Sequence, residues 1–380
     1  MKQMFSFLLS LLVWVSGCAS QSPALTAGDG KTVKDEYLVG VSYFAGWWEP
    51  TPNKWQGPDG KDWRENYPDR IPLLGAYNDQ VTMDKEIIAA SSYGVDFFAI
   101  LWYPADPNNE LEKNARYLNR GLEHFIHSKE AYRMKFMTEF CNHPPFDNLS
   151  DENWQRMINQ SWMAAFKHPS YLRVGEKLVF KIHSADAFYG SCGRNMDIVK
   201  SRLNLLRQKV RDAGLGEMLI GIGLCDSQGY LSRNPWIAGA FDFAAMYMDV
   251  PVVEQKQTNY SYEVLARYNQ SSRLVCANER NPVMFMPYIG AGWQPRPWGD
   301  KRASFEFPDK IQFTDELLKM KQDLDIYKKL GLPIHGGDKQ KIFTIYAWNE
   351  FGEGGIVAPT QGDAYKKLEC IRQVFGLSGD

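Results

Sequence analysis

Lys341-Ile342-Phe343-Thr344-Ile345-Tyr346-Ala347-Trp348-Asn349-Glu350-Phe351-Gly352-Glu353-Gly354-Gly355 runs from a β-branched and aromatic segment straight into two carboxylates and three glycines. Between Ile342 and Trp348 the composition is that of a strand buried on both faces, and the glycines end it at once. Such strands belong to parallel sheets with helices on either side, so the segment predicts an α/β fold. It also sets Glu350 and Glu353 on a strand end and a glycine turn, where side chains can converge on a ligand. Two glutamates in a polar turn can equally be solvated, since carboxylate pairs mark functional sites only as a tendency.

Working back from that strand, seven more runs of the same kind appear: Leu38 to Trp47, Val95 to Tyr103, Met134 to Phe140, Leu178 to His183, Met218 to Leu224, Phe241 to Met248 and Val283 to Ile289. Helical periods lie between most of them. Met83, Ile87 and Ala90 share one apolar face, and Ser150 is placed to cap a helix burying Trp154, Met157, Ile158 and Trp162. Ile198, Leu203, Leu206 and Val210 line another helix that stops at Gly214, Phe313 to Leu330 one that stops at Gly331, and Ala364 to Phe375 the last. Eight alternating units predict a (β/α)8 TIM barrel, one domain over residues 35–380 with long βα loops. The alternative is an open doubly wound sheet, because Asp226 to Ala240, with Pro235, shows little helical period.

In a barrel of this kind the βα loops at the C-terminal strand ends build the active face. Those ends carry Tyr43, Phe44, Trp47 and Trp48; Trp102 and Tyr103; Glu139, Asn142 and His143; His183 and Asp186; Asp226; Tyr247 and Asp249; Tyr288 and Trp293; and Asn349, Glu350 and Glu353. Aromatic faces stack on the C–H faces of sugar rings, while carboxylates and amides bond hydroxyls, so the rim has the composition of a carbohydrate site. Tyr43, Phe44 and Tyr288 can equally be core. Trp47, Trp48, Trp55 and Trp63 sit in a loop with Gly and Pro and are expected to wall the substrate. The stretch from Gly290 to Pro308 is expected to be a lid or site wall. His124 and His127 have a ligand-like spacing but no third ligand nearby, so they read as a helix end.

Met1-Lys2, an apolar stretch from Met4 to Val15 and then Val15-Ser16-Gly17-Cys18 read as a secretion signal over residues 1–17, too short to span a membrane. The ending resembles a bacterial lipobox, which implies a lipidated Cys18 and a protein anchored in the cell envelope at the outer membrane; a simple signal peptide with an incidental cysteine is the alternative. Residues 18–34 suit a flexible tether. Lys and Arg number 43 against 45 Asp and Glu, so there is no basic footprint for nucleic acid. The remaining cysteines lack any Cys-x-x-Cys spacing, which disfavours zinc, and no cofactor is expected; the membrane is engaged through the lipid alone, and a monomer is expected.

Trp348-Asn349-Glu350-Phe351-Gly352-Glu353-Gly354 resembles the Asn-Glu-x-x-Glu-Gly element of glycoside hydrolase family 99 and of the related WbsX-like proteins, regarded as glycosyltransferases. Tyr43 to Trp47, and Tyr93-Gly94-Val95-Asp96-Phe97-Phe98 to Trp102-Tyr103, look like the first and second strands of those proteins. The resemblance implies a metal-free (β/α)8 endo-α-mannosidase-like enzyme, with Glu350 as base toward the sugar 2-hydroxyl and Glu353 as acid/base at the glycosidic oxygen. Ala45-Gly46-Trp47-Trp48 and Lys181-Ile182-His183 depart from the family pattern, which bears on the sugar taken more than on the chemistry. The function expected is a cell-envelope glycoside hydrolase cutting an α-linked glycan. A glycosyltransferase, or a barrel that binds glycan without cutting it, is the alternative.

Overall fold

A computed structural model describes residues 36–104, 115–147, 149–226, 229–252, 258–278 and 280–376; the expected signal, Cys18 and the tether lie outside them. In chain order the main elements are β1 (Tyr37–Tyr43), α1 (Gln80–Ser92), β2 (Phe97–Trp102), α2 (Arg120–His127), β3 (Lys135–Phe140), α3 (beginning at Asp151–Met157), β4 (Lys177–Ile182), α4 (Met196–Asp212), β5 (Met218–Gly223), β6 (Phe243–Ala245), α5 (Tyr262–Cys276), β7 (Met284–Met286 and Tyr288–Gly290), α6 (Lys310–Ile326), β8 (Lys339–Tyr346) and α7 (Lys366–Phe375). Each strand pairs in parallel with the next, and β8 pairs with β1. The ring closes through β7, whose first half pairs with β6 and whose second half pairs with β8. Pro287 parts the halves and accepts the Thr344 N–H at 3.0 Å. Lacking an N–H to give a ladder, proline fits where the strand changes partner.

This is a (β/α)8 barrel, not an open sheet. Among the described residues between β5 and β6 are the short helix Tyr230–Arg233 and the 3-10 turn Pro235–Gly239, enough to complete the crossover. Local signals set the helix starts: Asp79 accepts the Thr82 N–H and Ser150 that of Asn153. Trp154, Met157, Ile158 and Trp162 are buried as their spacing predicts. In α4 the buried line is Val199, Leu203, Leu206 and Val210, while Ile198 faces solvent. Steps of four, three and four keep one helix face, which the five-residue step from Ile198 to Leu203 does not.

Strand parity decides what points where, because successive side chains alternate between the two faces. Phe97, Ala99, Met137, Val179, Leu219, Phe243, Ala245, Met286 and Ile342 pack together as the barrel interior, and residues of the other parity meet the helices. Glycines make room for the largest of them. A Cβ on Gly40 would lie 2.1 Å from the Phe97 ring, and one on Gly221 2.2 Å from Phe243. Carried to the C-terminal ends, the inward series continues to Phe44, Tyr103, Cys141, His183, Tyr247 and Tyr346, all of which line one cavity.

Candidate active site

Beyond β8 the chain makes a small hairpin in which Asn349–Glu350 pairs antiparallel with Gly355–Ile356. The Glu350 carbonyl accepts the N–H groups of Glu353, at 3.1 Å, and Gly354, at 2.8 Å, so the turn folds Glu353 back toward Glu350. Each glycine has a reason. Gly354 has φ +86°, and a Cβ on Gly352 or Gly355 would lie 2.2 Å from the ring of Trp298 or Tyr346 respectively. Beneath the turn, buried Arg70 donates to the Phe351 carbonyl at 2.9 Å, and burial draws its guanidinium down to about 10.

The hairpin faces a cavity of about 650 Å³ at the C-terminal mouth of the barrel, lined by Phe44, Lys54, Tyr103, His143, His183, Tyr247, Trp293, Trp298, Arg302, Tyr346, Glu350 and Glu353 among others. Glu350 Oε1 accepts the Tyr247 hydroxyl at 2.7 Å, whereas its buried Oε2 has no hydrogen-bond partner among the described residues. Glu353 Oε2 accepts the Tyr346 hydroxyl. Burial, and after it the charge of Glu353, pushes the Glu350 carboxyl well above the usual range; burial also raises Glu353, against the Tyr346 hydrogen bond and the Arg302 charge. The arrangement is a buried Glu350 carboxyl beside a half-buried Glu353 carboxyl, both with raised pKa values and each touched by one phenol, opening on a cleft with aromatic walls.

Glu139 sits lower, inside the barrel. Lys181 Nζ lies 2.9 Å from its Oε1, and His183 Nδ1 lies 2.6 Å from the same oxygen. Burial pushes the Glu139 carboxyl up, but Lys181 and His183 together outweigh it and hold it at about 2. Glu139 therefore stays ionised and fixes the His183 ring, leaving Nε2 as the nitrogen available to the cavity that His183 lines.

Several solved structures share this fold. A "glycoside hydrolase-like protein" aligns with TM-score 0.59 and 15% identity over 95% of this chain and 98% of its own. A family 99 endo-alpha-mannosidase from Bacteroides thetaiotaomicron aligns with TM-score 0.55 and 16% identity over 89% of this chain and 96% of its own. The same kind of enzyme in complex with bis-tris-propane gives TM-score 0.55 and 16% identity over 90% of this chain and 96% of its own. The chain has the family 99-like barrel fold. No protein-family model and no curated protein matches it.

Of the residues singled out in the sequence, the cavity gathers Phe44, Tyr103, His143, His183, Tyr247, Asp249, Trp293, Glu350 and Glu353. It does not gather Tyr43, Trp47, Trp48, Trp102, Asn142 or Asn349, nor Glu139, which reaches it only through His183. Tyr43 and Trp102 have outward parity: Tyr43 bonds Glu86 at 2.7 Å beneath the helices, and Trp102 packs on Trp162. Trp47, Trp55 and Trp63 pack on one another, Trp47 and Trp55 also on Phe351, and Trp48 stacks on Tyr117, with every indole N–H given to a main-chain carbonyl: Trp47 to Asn349, Trp48 to Pro52, Trp55 to Ala76 and Trp63 to Lys54. They are a core for the loop, not a substrate wall. Asn142 ties the β3 loop to Ser184, and Asn349 Oδ1 accepts the Phe44 N–H at 2.8 Å, so both are latches. The stretch after Gly290 does form wall, through Trp293, Trp298 and Arg302. Lys54, Tyr346, Arg302 and the buried Lys181 were missed; inward parity gives away Tyr346 and Lys181, whereas nothing in the sequence singles out Lys54. Of the five cysteines after Cys18, four are buried and Cys225 is exposed, all unpaired.

Proposed function

We propose that this protein is a glycoside hydrolase that cuts an α-linked glycan or polysaccharide in an endo-α-mannosidase-like manner, using Glu350 and Glu353. The observation that carries the reading is the pair of carboxyls at the end of β8, Glu350 buried with one oxygen unpartnered among the described residues and Glu353 half-buried, at the mouth of an aromatic cavity. Glycosidic cleavage asks one carboxyl to give a proton to the leaving oxygen and another group to act at the far side of the anomeric centre. The neighbouring carboxyls can supply both, because burial raises each of them and the charge of Glu353 raises Glu350 further, so the pair holds a proton more readily than free glutamates do.

The more strongly raised carboxyl of the free site is Glu350, so the roles the family resemblance implies require the proton to sit on Glu353 once sugar is bound; Glu353 then gives it to the glycosidic oxygen while Glu350 takes the proton of the 2-hydroxyl. The 2-oxygen then closes on the anomeric carbon as the bond to the leaving group breaks. Water opens the 1,2-anhydro ring, with Glu353 taking the proton of the water and Glu350 returning one to O2, which restores the starting state. His183, held by Glu139, and Tyr247, which donates to Glu350, are read as polar groups that orient the sugar and the base. The lipobox-like ending at Cys18 supports placing this chemistry in the cell envelope on a lipid anchor.

The test is a screen of the purified protein against α-mannan, α-glucan and pectic oligosaccharides, read by released reducing ends. Release from one of them by wild type, lost in Glu350→Gln, supports the proposal. Tight binding of a glycan without any release favours a capture protein.

A further inference from the structure

Lys54 stands out in the cavity because its position is built while its ammonium forms no ion pair among the described residues. Its main-chain carbonyl accepts two indole N–H groups, from Trp63 at 2.9 Å and Trp298 at 3.0 Å. Its stem lies against Gly46, where an added Cβ would come within 2.9 Å of Lys54 Cγ, and its Nζ lies 5.2 Å from the centre of the Trp298 ring. The ammonium is thus set over an aromatic face at the cavity wall. Yet among the described residues Lys54 forms no ion pair, whereas the other cation of the cavity, Arg302, is held by Asp300 over the face of Trp293. Of the carboxyls that share the cavity, Glu350 accepts the Tyr247 hydroxyl, Glu353 that of Tyr346 and Asp249 that of Tyr268 at 3.1 Å; the Lys54 charge reaches Glu350 and Glu353, but it forms an ion pair with neither.

We infer that Lys54 is a specificity residue for an anionic glycan, binding a carboxylate or sulfate carried by the sugar in this cavity. The inference rests on the glycosidase reading and narrows it to acidic substrates. An ammonium fixed at a wall with three donors and no acidic partner is complementary to an anionic oxygen, and a charge-assisted hydrogen bond is among the stronger polar contacts. A neutral sugar would also leave a cost in place. The Lys54 charge favours the ionised forms of both Glu350 and Glu353, which works against a proton donor. An anionic substituent cancels that field as it binds, so the acidic substrate helps restore the proton its own cleavage requires.

The experiment follows tryptophan fluorescence, for which Trp293 and Trp298 line the cavity. It compares the binding of D-glucuronate, D-galacturonate and glucose 6-sulfate with that of the uronate methyl esters and glucose, in wild type and in Lys54→Gln. The variant keeps its fold, because both indole clamps grip the main chain and not the side chain. Wild type should bind a charged sugar roughly ten- to hundredfold more tightly than its neutral counterpart, the range for a hydrogen bond to a charged group. Lys54→Gln should bind both alike. A preference for the uronates assigns a carboxylate and one for the 6-sulfate a sulfate, and both support the inference. Equal affinities in wild type, or a charge preference that survives in Lys54→Gln, overturns it. Because binding is read without turnover, either result stands apart from the loss of cleavage in Glu350 and Glu353 variants, which tests the glycosidase reading.

Discussion

Replacing Glu86 by Gln should make the protein more stable, and only above mildly acidic pH. Glu86 is buried on α1, where its two oxygens accept the Tyr43 hydroxyl at 2.7 Å and the Trp348 indole N–H at 3.0 Å, with no cation paired to it among the described residues. Burial pushes its carboxyl up from 4.5 to about 7, against the pull of those two hydrogen bonds. Below pH 4.5 the group is protonated in both the folded and the unfolded chain, so its full contribution is present. As pH rises the unfolded chain ionises first, stability falls, and the fall levels off once the folded group ionises near pH 7. The interval is roughly 2.5 pH units at about 1.36 kcal/mol each, or about 3 kcal/mol. Glutamine does not ionise; its oxygen can accept the Trp348 N–H and its amide can donate to the Tyr43 oxygen, whose proton can turn to Asn78 Oδ1 at 3.5 Å. Urea unfolding of both proteins from pH 4 to pH 8 should show curves that meet near pH 4 and part by about 3 kcal/mol at pH 8. Curves that run parallel across this range refute the reasoning.

Glu139→Gln leaves Lys181 buried without its counter-charge and should cost about 3–5 kcal/mol, read by urea unfolding at pH 7; activity should fall as well, because the His183 ring loses its anchor. Tyr247→Phe removes a hydrogen bond that favours the Glu350 carboxylate, so that carboxyl rises further and the acidic limb of the kcat/KM profile should move to higher pH. An unmoved limb would show that Glu350 does not set it. Cys18→Ala should abolish lipid labelling and move the protein from the membrane fraction to the soluble one; a variant still held at the membrane by lipid is the opposite result.

Much of the barrel is legible in the sequence because a strand covered on both faces is written as an apolar run, and all eight runs become barrel strands. That same property hides which rim residues face the ligand. A strand apolar on both faces shows no alternation by eye, so Tyr43 and Trp102 look like site residues although they point toward the helices. Parity counted from Phe97 and Ala99 recovers Tyr103, and counted from Phe243 and Ala245 it recovers Tyr247. In the loops even parity is lost. Trp47 and Trp55 stack on each other with ring centres 4.2 Å apart, while Lys54, next to Trp55 in sequence, reaches the cavity, and only the folded loop distinguishes them. The Glu350 and Glu353 pair was readable because its glycine turn is local, with the bonds that fold it back spanning three and four residues.

The central claim is tested most directly by the kinetics of Glu350→Gln and Glu353→Gln on a glycan that wild type cleaves and on its aryl glycoside with an activated phenol. Both variants should lose roughly 10²–10⁴-fold on the glycan, the range for a lost proton-transfer group. On the aryl glycoside, which needs little protonation to leave, Glu353→Gln should recover much of its first-step rate while Glu350→Gln stays inactive, and wild type should fail on the 2-deoxy analogue. Near-normal turnover of the 2-deoxy analogue contradicts the role of Glu350, and full activity of both variants contradicts the carboxyl-pair account itself.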